Sequence, residues 1–193
     1  MTVTSGPQIL TAPKSIRKRL KSVYKGGKIV QIDFISLEPR VAIQIDGKTD
    51  EKDVYSYLSK KIIDFEVPRS VVKKLVLCSV YGASESTLKK DLPEGVNIKD
   101  LIQKTKEELN YNFVIKNQKE NYNKTGKIFN FFGRPIIPQS ARDSLIYNNY
   151  VQSTAVDVAL LGFGKIIKKS PKRVRPIFFI HDAMLLDLHP DDI

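Results

Sequence analysis

The apolar positions between residues 28 and 82 predict one strand followed by helices. The run Lys28–Asp33 alternates apolar and polar side chains, which is typical of a strand with one buried face. Residues 53–61 predict a short helix. Residues 68–82 predict a longer one, because Pro68 stands where a helix start tolerates proline. Its apolar stripe is distinct from a second row of side chains: Val72, Leu75, Val76 and Ser79 form the stripe, and Arg69, Lys73, Leu77 and Tyr81 the row.

Residues 85–132 predict a polar helical segment followed by a strand. The stretch 85–125 is polar, and its helical anchors are Leu101, Ile102 and Leu109. We interpret this stretch as a mobile lobe. Residues 127–132 are apolar and aromatic, which predicts a strand ending at a Gly133 turn.

A long helix and a hairpin are predicted for the last third of the chain. The helix is expected from about Gln139 and is expected to end at Gly162 and Gly164. The apolar runs 175–180 and 183–188 then predict the two strands of the hairpin. One face of the helix is expected to carry Tyr147, Val151, Thr154, Val158 and Leu161.

Together these elements predict an α+β fold. Asp33 ends the first apolar run, and Asp182 follows directly on the run that begins the hairpin. We expect both aspartates on one antiparallel sheet, which the helix of residues 140–164 backs and a helical insertion interrupts.

The charge of the chain is positive and unevenly distributed. The formal net charge is +11, and residues 14–28 and 165–175 carry Lys and Arg without a single acid. Both blocks adjoin the strands that carry the aspartates, so folding could join them into a rim that faces phosphate groups. Taken alone, such runs are more often solvated faces that keep a protein soluble.

Composition narrows the class of protein further. A single cysteine, Cys78, excludes an internal disulfide and a thiolate zinc cluster, so a reducing cytoplasm is expected. No apolar run approaches the roughly 18 residues that a membrane span needs, and no secretory signal is visible. We therefore expect no membrane partner.

The aspartates and the second helix suggest a phosphoryl-transfer chemistry. Two carboxylates at strand ends, far apart in sequence, can meet to hold divalent metal, and Mg²⁺ prefers such oxygen ligands. Arg69 and Lys73 stand four residues apart on one helix, where they can grip a triphosphate. Each feature alone has a commoner explanation, namely a turn residue for Asp33 and a solvated helix face for the two cations.

Five segments stand in order along the chain: Pro7-Gln-Ile-Leu-Thr-Ala-Pro13, Asp33-Phe-Ile-Ser-Leu-Glu-Pro-Arg40, Arg69-x3-Lys73-x7-Tyr81-Gly82, Val151-Gln-Ser-Thr-Ala-Val-Asp157 and His181-Asp182. The first resembles the stretch ahead of the first palm motif of family A DNA polymerases, and the second resembles that motif itself. The third is similar to the family's nucleotide-binding fingers helix. The fourth is similar to its Gln-Gly-Thr-Ala-Ala-Asp segment, and the fifth to its His-Asp palm motif. The resemblance covers nearly the whole chain, and the joint pattern carries it.

The resemblance implies a role for each matched residue. It implies two Mg²⁺ ions held by Asp33, Asp182 and the Phe34 carbonyl. For the incoming dNTP it implies contacts from Arg69, Lys73, Leu77, Tyr81 and Gly82, with Lys73 as a proton donor to the departing pyrophosphate. Glu38 is implied as the steric gate against a ribose 2′-hydroxyl. The implied contacts to primer–template DNA are Arg40, Asn148, Gln152 and His181.

Four positions depart from the family's pattern. Leu77 stands where an aromatic residue is usual, and Ala183 replaces the acid that commonly follows His-Asp. Tyr55 stands where histidine is frequent, and Ser144 where arginine is frequent. None of the four removes an implied metal ligand.

By the same resemblance the chain corresponds to the palm and fingers of a right-hand polymerase without its thumb. Residues 1–50 and 140–193 are expected to form the palm, and residues 51–139 the fingers and a hairpin. A second polypeptide is expected to supply the thumb and exonuclease-like domains, so the chain is either one piece of a split phage polymerase or a truncated copy.

Two other functions stay open. The first is a catalytically degenerate nucleic-acid-binding or regulatory protein that keeps the fold. The second is a relative of single-subunit RNA polymerases, against which Glu38 argues because that position must be small to admit a ribonucleotide.

Overall fold

The computed structural model describes residue 15 and residues 18–44, 53–82, 85–180 and 182–193. In chain order the elements are β1 (Lys28–Asp33), α1 (Leu37–Gln44), α2 (Val54–Ile62), α3 (Arg69–Tyr81), α4 (Ser86–Lys89), α5 (Ile98–Glu108), α6 (Tyr111–Thr125), β2 (Ile128–Phe129), β3 (Pro135–Ile136), α7 (Asp143–Lys169), β4 (Arg175–Ile180), β5 (Ala183–Leu188) and a 3₁₀ turn (Pro190–Asp192). The fold is α+β with small antiparallel sheets, as the sequence predicts.

The chain divides into two compact units. The first combines the described residues up to Ile35 with Val158–Ile193, and the second is Ser36–Asp157. The predicted division into palm and fingers stays a prediction. None of the described helices is long and apolar enough to cross a membrane.

The first unit contains a three-stranded antiparallel sheet in the order β1-β5-β4. Lys28 pairs with Leu188 and Asp33 with Ala183, so β1 runs along the whole length of β5. The predicted hairpin of β4 and β5 is therefore confirmed, and β1 joins it on the β5 side. Beyond the strand, the Phe34 N–H donates to the Asp182 carbonyl at 3.0 Å.

The C-terminal part of α7 packs against this sheet through aromatic rings. Phe163 lies 5.0 Å from Phe34 and 5.7 Å from Phe179, measured between ring centroids. Gly162 faces the Phe34 ring, because a Cβ built at Gly162 would come within 2.7 Å of Phe34 Cζ. The prediction that Gly162 and Gly164 end the helix is wrong, since α7 continues to Lys169. At Gly162, glycine serves a close approach within the helix rather than its termination.

We expect the two glycines of α7 to respond differently to alanine. Gly164→Ala meets nothing within 4 Å and should stabilise the chain by up to about 1 kcal/mol through helix propensity. Gly162→Ala gains the same propensity but displaces the Phe34 ring, so it should be less stable than Gly164→Ala by about 1 kcal/mol or more. Urea unfolding of both variants measures the difference, and equal midpoints would contradict the close approach.

The second unit is built around helices and one short hairpin. Its largest fully buried side chains include Leu58, Leu75, Leu109, Ile128 and Tyr147. Each such apolar side chain contributes on the order of 2 kcal/mol through burial. The Tyr147 hydroxyl satisfies its hydrogen-bonding need inside this core by donating to the Leu109 carbonyl at 2.8 Å.

The helices of residues 53–82 form where the sequence predicts them. Asp53 caps α2, since its side chain accepts from the Tyr55 N–H. Pro68 precedes α3, and Gly82 ends it in the left-handed region at φ 71°. The predicted stripe of Val72, Leu75, Val76 and Ser79 is buried.

Two sequence predictions for the second half of the chain need correction. The predicted strand of residues 127–132 is limited to Ile128–Phe129, because the side chain of Asn130 captures the following backbone N–H groups in a turn. On α7, Tyr147, Val151 and Thr154 are buried as predicted, but Leu161 is 56% exposed. Residues 85–125 form α4, α5 and α6, and their mobility stays a prediction.

Candidate functional site

The first unit brings two predicted carboxylates together at one end of its sheet. Asp33 is the last residue of β1, and Asp182 lies in the turn between β4 and β5. The pKa of Asp33 is raised, first by partial burial and second by the negative charge of Asp182, against a hydrogen bond from Gln31 that lowers it. The carboxylates are therefore close enough to repel each other.

A repelling carboxylate pair fits a divalent cation, which removes the repulsion when it binds. Among the described residues, no group of three or more His, Cys, Asp and Glu is arranged to hold a metal ion. A divalent cation held by Asp33 and Asp182 would have two carboxylate ligands and would take the others from backbone, water or substrate oxygens, as is usual for Mg²⁺. The Phe34 carbonyl as a ligand stays a prediction, and His181 lies outside the described residues.

The second unit brings three predicted residues from three helices into one hydrogen-bonded cluster, which we call the Tyr81 cluster. Glu38 belongs to α1, Tyr81 to α3 and Gln152 to α7. The Tyr81 hydroxyl donates to Glu38 Oε2 at 2.6 Å, and Gln152 Nε2 donates to the same hydroxyl at 3.1 Å. The hydroxyl thus acts as donor and acceptor at once, which fixes both neighbouring side chains.

The environment raises the pKa of the Tyr81 hydroxyl. Burial is the largest cause that raises its pKa to about 12, and the hydrogen bond to Glu38 is the next. The bond from Gln152 acts in the opposite direction. A phenol is protonated at neutral pH even with the ordinary tyrosine pKa of about 10, and the raised pKa extends its role as donor to Glu38 to more alkaline solution.

We expect Tyr81→Phe and Glu38→Gln to be energetically coupled. Tyr81→Phe removes the shared hydroxyl, and a hydrogen bond to a charged group contributes about 1.5–3 kcal/mol when buried and less at a partly exposed site. A double-mutant cycle on the free energy of unfolding should give a coupling of about 0.5–1.5 kcal/mol. Additive effects would show that the bond does not form in solution.

Arg69 is held in a second cluster, the Arg69 cluster, by two neighbours from α2 and its cap. Its Nε donates to Asp53 Oδ2 at 3.0 Å and its Nη2 to Asp53 Oδ1 at 3.1 Å. The guanidinium carbon lies 4.5 Å from the centroid of the Tyr55 ring, a cation–π distance. The hydrogen bonds from Arg69 are the main reason that the pKa of Asp53 is lowered.

The ion pair with Asp53 uses only part of the Arg69 guanidinium. Arg69 uses its Nε–Nη2 edge for Asp53, so Nη1 and the end-on edge are directed elsewhere. The Arg69 side chain is 51% exposed. Two oxygens of a phosphate group can thus accept from the second edge of the planar guanidinium while Asp53 and Tyr55 hold the first.

The remaining predicted residues of α3 lie on the exposed row. Lys73 is exposed, and Leu77 and Tyr81 are 42% and 41% exposed. A Cβ at Gly82 would meet nothing within 4 Å, so space does not require glycine there. Its positive φ does. Arg40 on α1 and Asn148 on α7 are half-buried. Their predicted contacts to DNA stay predictions.

The two basic blocks meet in the first unit, but not where the sequence suggests. The Tyr24 hydroxyl donates to the Arg173 carbonyl at 2.7 Å, which joins the described part of one block to the other. Lys28 and Arg175 begin their strands at the end of the sheet opposite to Asp33, about 17 Å along the strand. Lys28, Arg173 and Arg175 therefore lie toward the end of the sheet opposite to the aspartate pair.

Asp53 is a candidate functional residue that sequence reasoning missed. A cap at the start of the helix predicted for residues 53–61 explains an aspartate at this position by itself. The ion pair with Arg69 joins the cap of α2 to the first residue of α3, sixteen positions later, and no local pattern indicates it.

No protein-family model matches the chain, and no curated protein matches its sequence. The fold is similar to that of a solved structure, the POL domain of Pol1 from M. smegmatis in complex with DNA primer-template and dNTP. The TM-score is 0.60 at 18% sequence identity, and the similarity covers 87% of this chain and 35% of that chain. The chain therefore has a polymerase-like fold, and it spans only 35% of the length of that structure's chain.

Proposed function

We propose that the chain is the palm-and-fingers portion of a DNA polymerase similar to family A. Its reaction is template-directed transfer of a nucleotidyl group from a dNTP to a primer 3′-hydroxyl. The observation that carries the proposal is the pair of Asp33 and Asp182 at one end of a sheet, in a chain whose fold is similar to a polymerase domain. Such transfer needs positioning and charge neutralisation more than covalent help from protein.

In this proposal Asp33 and Asp182 hold the Mg²⁺ ions. When bound, two such ions lower the pKa of the attacking hydroxyl and neutralise the charge that develops on the leaving group. The primer oxygen forms a bond to the α-phosphorus as the bond from that phosphorus to pyrophosphate breaks. The primer hydroxyl loses its proton to solvent, and the Lys73 ammonium gives a proton to pyrophosphate.

The Arg69 cluster supports a phosphate-binding role for this arginine. Asp53 and Tyr55 fix the guanidinium before the nucleotide arrives, so less side-chain entropy is lost on binding. The second edge of the guanidinium then donates to two phosphate oxygens at once. Lys73, one helical turn further along α3, adds a second positive charge.

We expect Arg69→Lys to weaken nucleotide use without unfolding the chain. An ammonium can still pair with Asp53, but it has no second planar edge for phosphate. The KM for dNTP should rise about tenfold, which corresponds to roughly 1.4 kcal/mol, whereas the melting temperature should stay nearly unchanged. Steady-state single-nucleotide incorporation measures this, and an unchanged KM would remove Arg69 from the nucleotide site.

The proposed DNA contacts are Arg40, Asn148, Gln152 and His181, and Gly82 is proposed to leave space beside the templating base pair. Gln152 is supported by its place in the Tyr81 cluster, where its amide is oriented by the Tyr81 hydroxyl. A second polypeptide that supplies the thumb and exonuclease-like domains is part of the same proposal.

The test of template direction uses four primer–templates that differ in the templating base. Each is incubated with the chain, Mg²⁺ and one dNTP at a time, and extension is read on a gel. We expect extension by the complementary nucleotide in each case and none without divalent metal. Incorporation independent of the template contradicts the proposal. Tight primer–template binding without any extension favours a degenerate nucleic-acid-binding protein instead.

A further inference from the structure

The turn between β2 and β3 presents two neighbouring aromatic rings to solvent. This turn, residues 130–134, is called the hairpin tip. Phe131 is 62% exposed and Phe132 is 48% exposed. Their ring centroids lie 5.4 Å apart and the rings are almost perpendicular, at 86°. Single exposed apolar residues are common on protein surfaces, but two adjacent exposed phenylalanines at one turn are unusual.

The hairpin tip is held together by the buried side chain of Asn130. Its Oδ1 accepts from the backbone N–H groups of Phe132 at 3.0 Å and Arg134 at 2.9 Å. Gly133 closes the turn with φ 78°, and its N–H donates to the Asn130 carbonyl at 2.9 Å. The backbone under both rings is therefore specified bond by bond.

The hairpin tip is also fastened to helix α7. The Phe131 N–H donates to Thr154 Oγ1 at 3.2 Å, and Asn130 Nδ2 donates to the Asp157 carboxylate. Arg134 Nε donates to Asp157 Oδ2 at 3.0 Å, and its Nη2 donates to the Ser153 carbonyl at 3.1 Å. So many polar contacts fix a turn whose two largest side chains bury little apolar area. These contacts keep the Phe131 and Phe132 rings in one orientation at the surface.

The charge of the sequence segment that contains the hairpin tip favours a polyanion as the ligand. Residues 124–142 contain Lys124, Lys127, Arg134 and Arg142 and no acid. Among the described residues, Asp157 is the acid bonded to the hairpin tip, and Arg134 neutralises it. Aromatic faces within a basic segment are the combination that binds single-stranded nucleic acid, because bases stack on rings while cations attract phosphates.

We propose that Phe131 and Phe132 form a stacking site for unpaired nucleobases, whose ligand is a single-stranded stretch of nucleic acid. The proposal rests on the proposed function in that a template-directed enzyme meets unpaired template. Phe129, at the end of β2, is half-buried and takes no part in this site.

Tryptophan fluorescence gives a direct test, because the chain contains no tryptophan. Phe131→Trp places one reporter at the hairpin tip, and Phe113→Trp places one at a matched exposed phenylalanine of α6, which is 56% exposed. We expect (dT)₁₂ to quench the first reporter and to leave the second unchanged, since stacking on a base quenches an indole. Equal quenching of both reporters, or of neither, would overturn the proposal.

Equilibrium binding gives the second measurement, with labelled (dT)₁₂ and a blunt duplex at one salt concentration. Phe131→Ala with Phe132→Ala should raise the Kd for (dT)₁₂ by about tenfold or more and leave the Kd for duplex unchanged. Replacing both by tyrosine should retain the affinity, whereas leucine should lose it. Affinity retained by leucine would overturn stacking. A change in oligomeric state without a change in Kd would assign the rings to a contact between copies instead.

Failure of the proposal and failure of the proposed function give different results. If the wild-type chain extends primers and the alanine variant binds (dT)₁₂ like the wild type, the stacking site is wrong and the polymerase assignment stands. If the wild-type chain extends no primer but the alanine variant loses (dT)₁₂, the stacking site stands without polymerase activity. Thermal melting of each variant confirms that it is folded before binding is compared.

Discussion

Replacing Asp33 or Asp182 by asparagine is expected to lower the rate of primer extension by at least about a thousandfold. Each change removes one carboxylate of the pair, and a metal ion contributes several kcal/mol of charge stabilisation in the transition state. The affinity for primer–template should hardly change, because we expect it to come from lysine and arginine contacts to phosphate. Single-turnover extension and anisotropy binding, in the preparation that extends primers, measure the two quantities separately.

The matched control for this experiment is Asp143→Asn, the same substitution at an exposed aspartate. Asp143 begins α7 and pairs with Lys119 at 2.6 Å, so asparagine there removes a surface ion pair. Such a pair contributes little to stability. Extension at the wild-type rate by either Asp33→Asn or Asp182→Asn would end the assignment of this pair to metal.

Replacing Glu38 by alanine is expected to raise the incorporation of ribonucleotides, relative to deoxynucleotides, by about tenfold or more. The carboxylate is proposed to lie where a ribose 2′-hydroxyl would be, so discrimination works by exclusion. A tenfold change in the ratio of kcat/KM values corresponds to roughly 1.4 kcal/mol of barrier difference. Single-nucleotide insertion with matched ribo- and deoxynucleotides gives this ratio.

The Tyr81 cluster makes the prediction for Glu38 sharper. The Tyr81 hydroxyl fixes the Glu38 carboxylate, so Tyr81→Phe should loosen sugar discrimination without removing the carboxylate. The ribo- to deoxynucleotide ratio of kcat/KM for Tyr81→Phe should therefore lie between the ratios for the wild type and for Glu38→Ala. An unchanged ratio in Glu38→Ala removes it as the gate, and a wild-type preference for ribonucleotides favours a relative of RNA polymerases.

Local patterns in the sequence predict the elements that position these residues. Helix α3 is predictable because Pro68, an apolar stripe and Gly82 all indicate the same segment. The β4–β5 hairpin is predictable because two apolar runs are separated by a short polar turn. The exposed row of Arg69, Lys73, Leu77 and Tyr81 follows from helical periodicity alone.

Contacts between distant segments are what the sequence does not predict. Nothing local indicates that Asp53 holds Arg69, or that Gln152 meets the Tyr81 hydroxyl. The sequence predicts too short a helix α7 because Gly162 resembles a helix end, although it accommodates the Phe34 ring. The sequence predicts too long a strand over residues 127–132, because the hydrogen bonds that the Asn130 side chain accepts form only in the folded turn.

The pairing of β1 with β5 has a consequence for how the chain folds. Asp33 pairs with Ala183, 150 positions later, whereas most helices of the second unit need only local contacts. Closing so long a loop loses chain entropy before the contacts of the sheet can offset it, so pairing of distant strands is slow. We expect helical circular dichroism to recover first during refolding and the sheet of the first unit to form last. The two aspartates then come together only as folding finishes, so the proposed metal site forms after the helices are already in place.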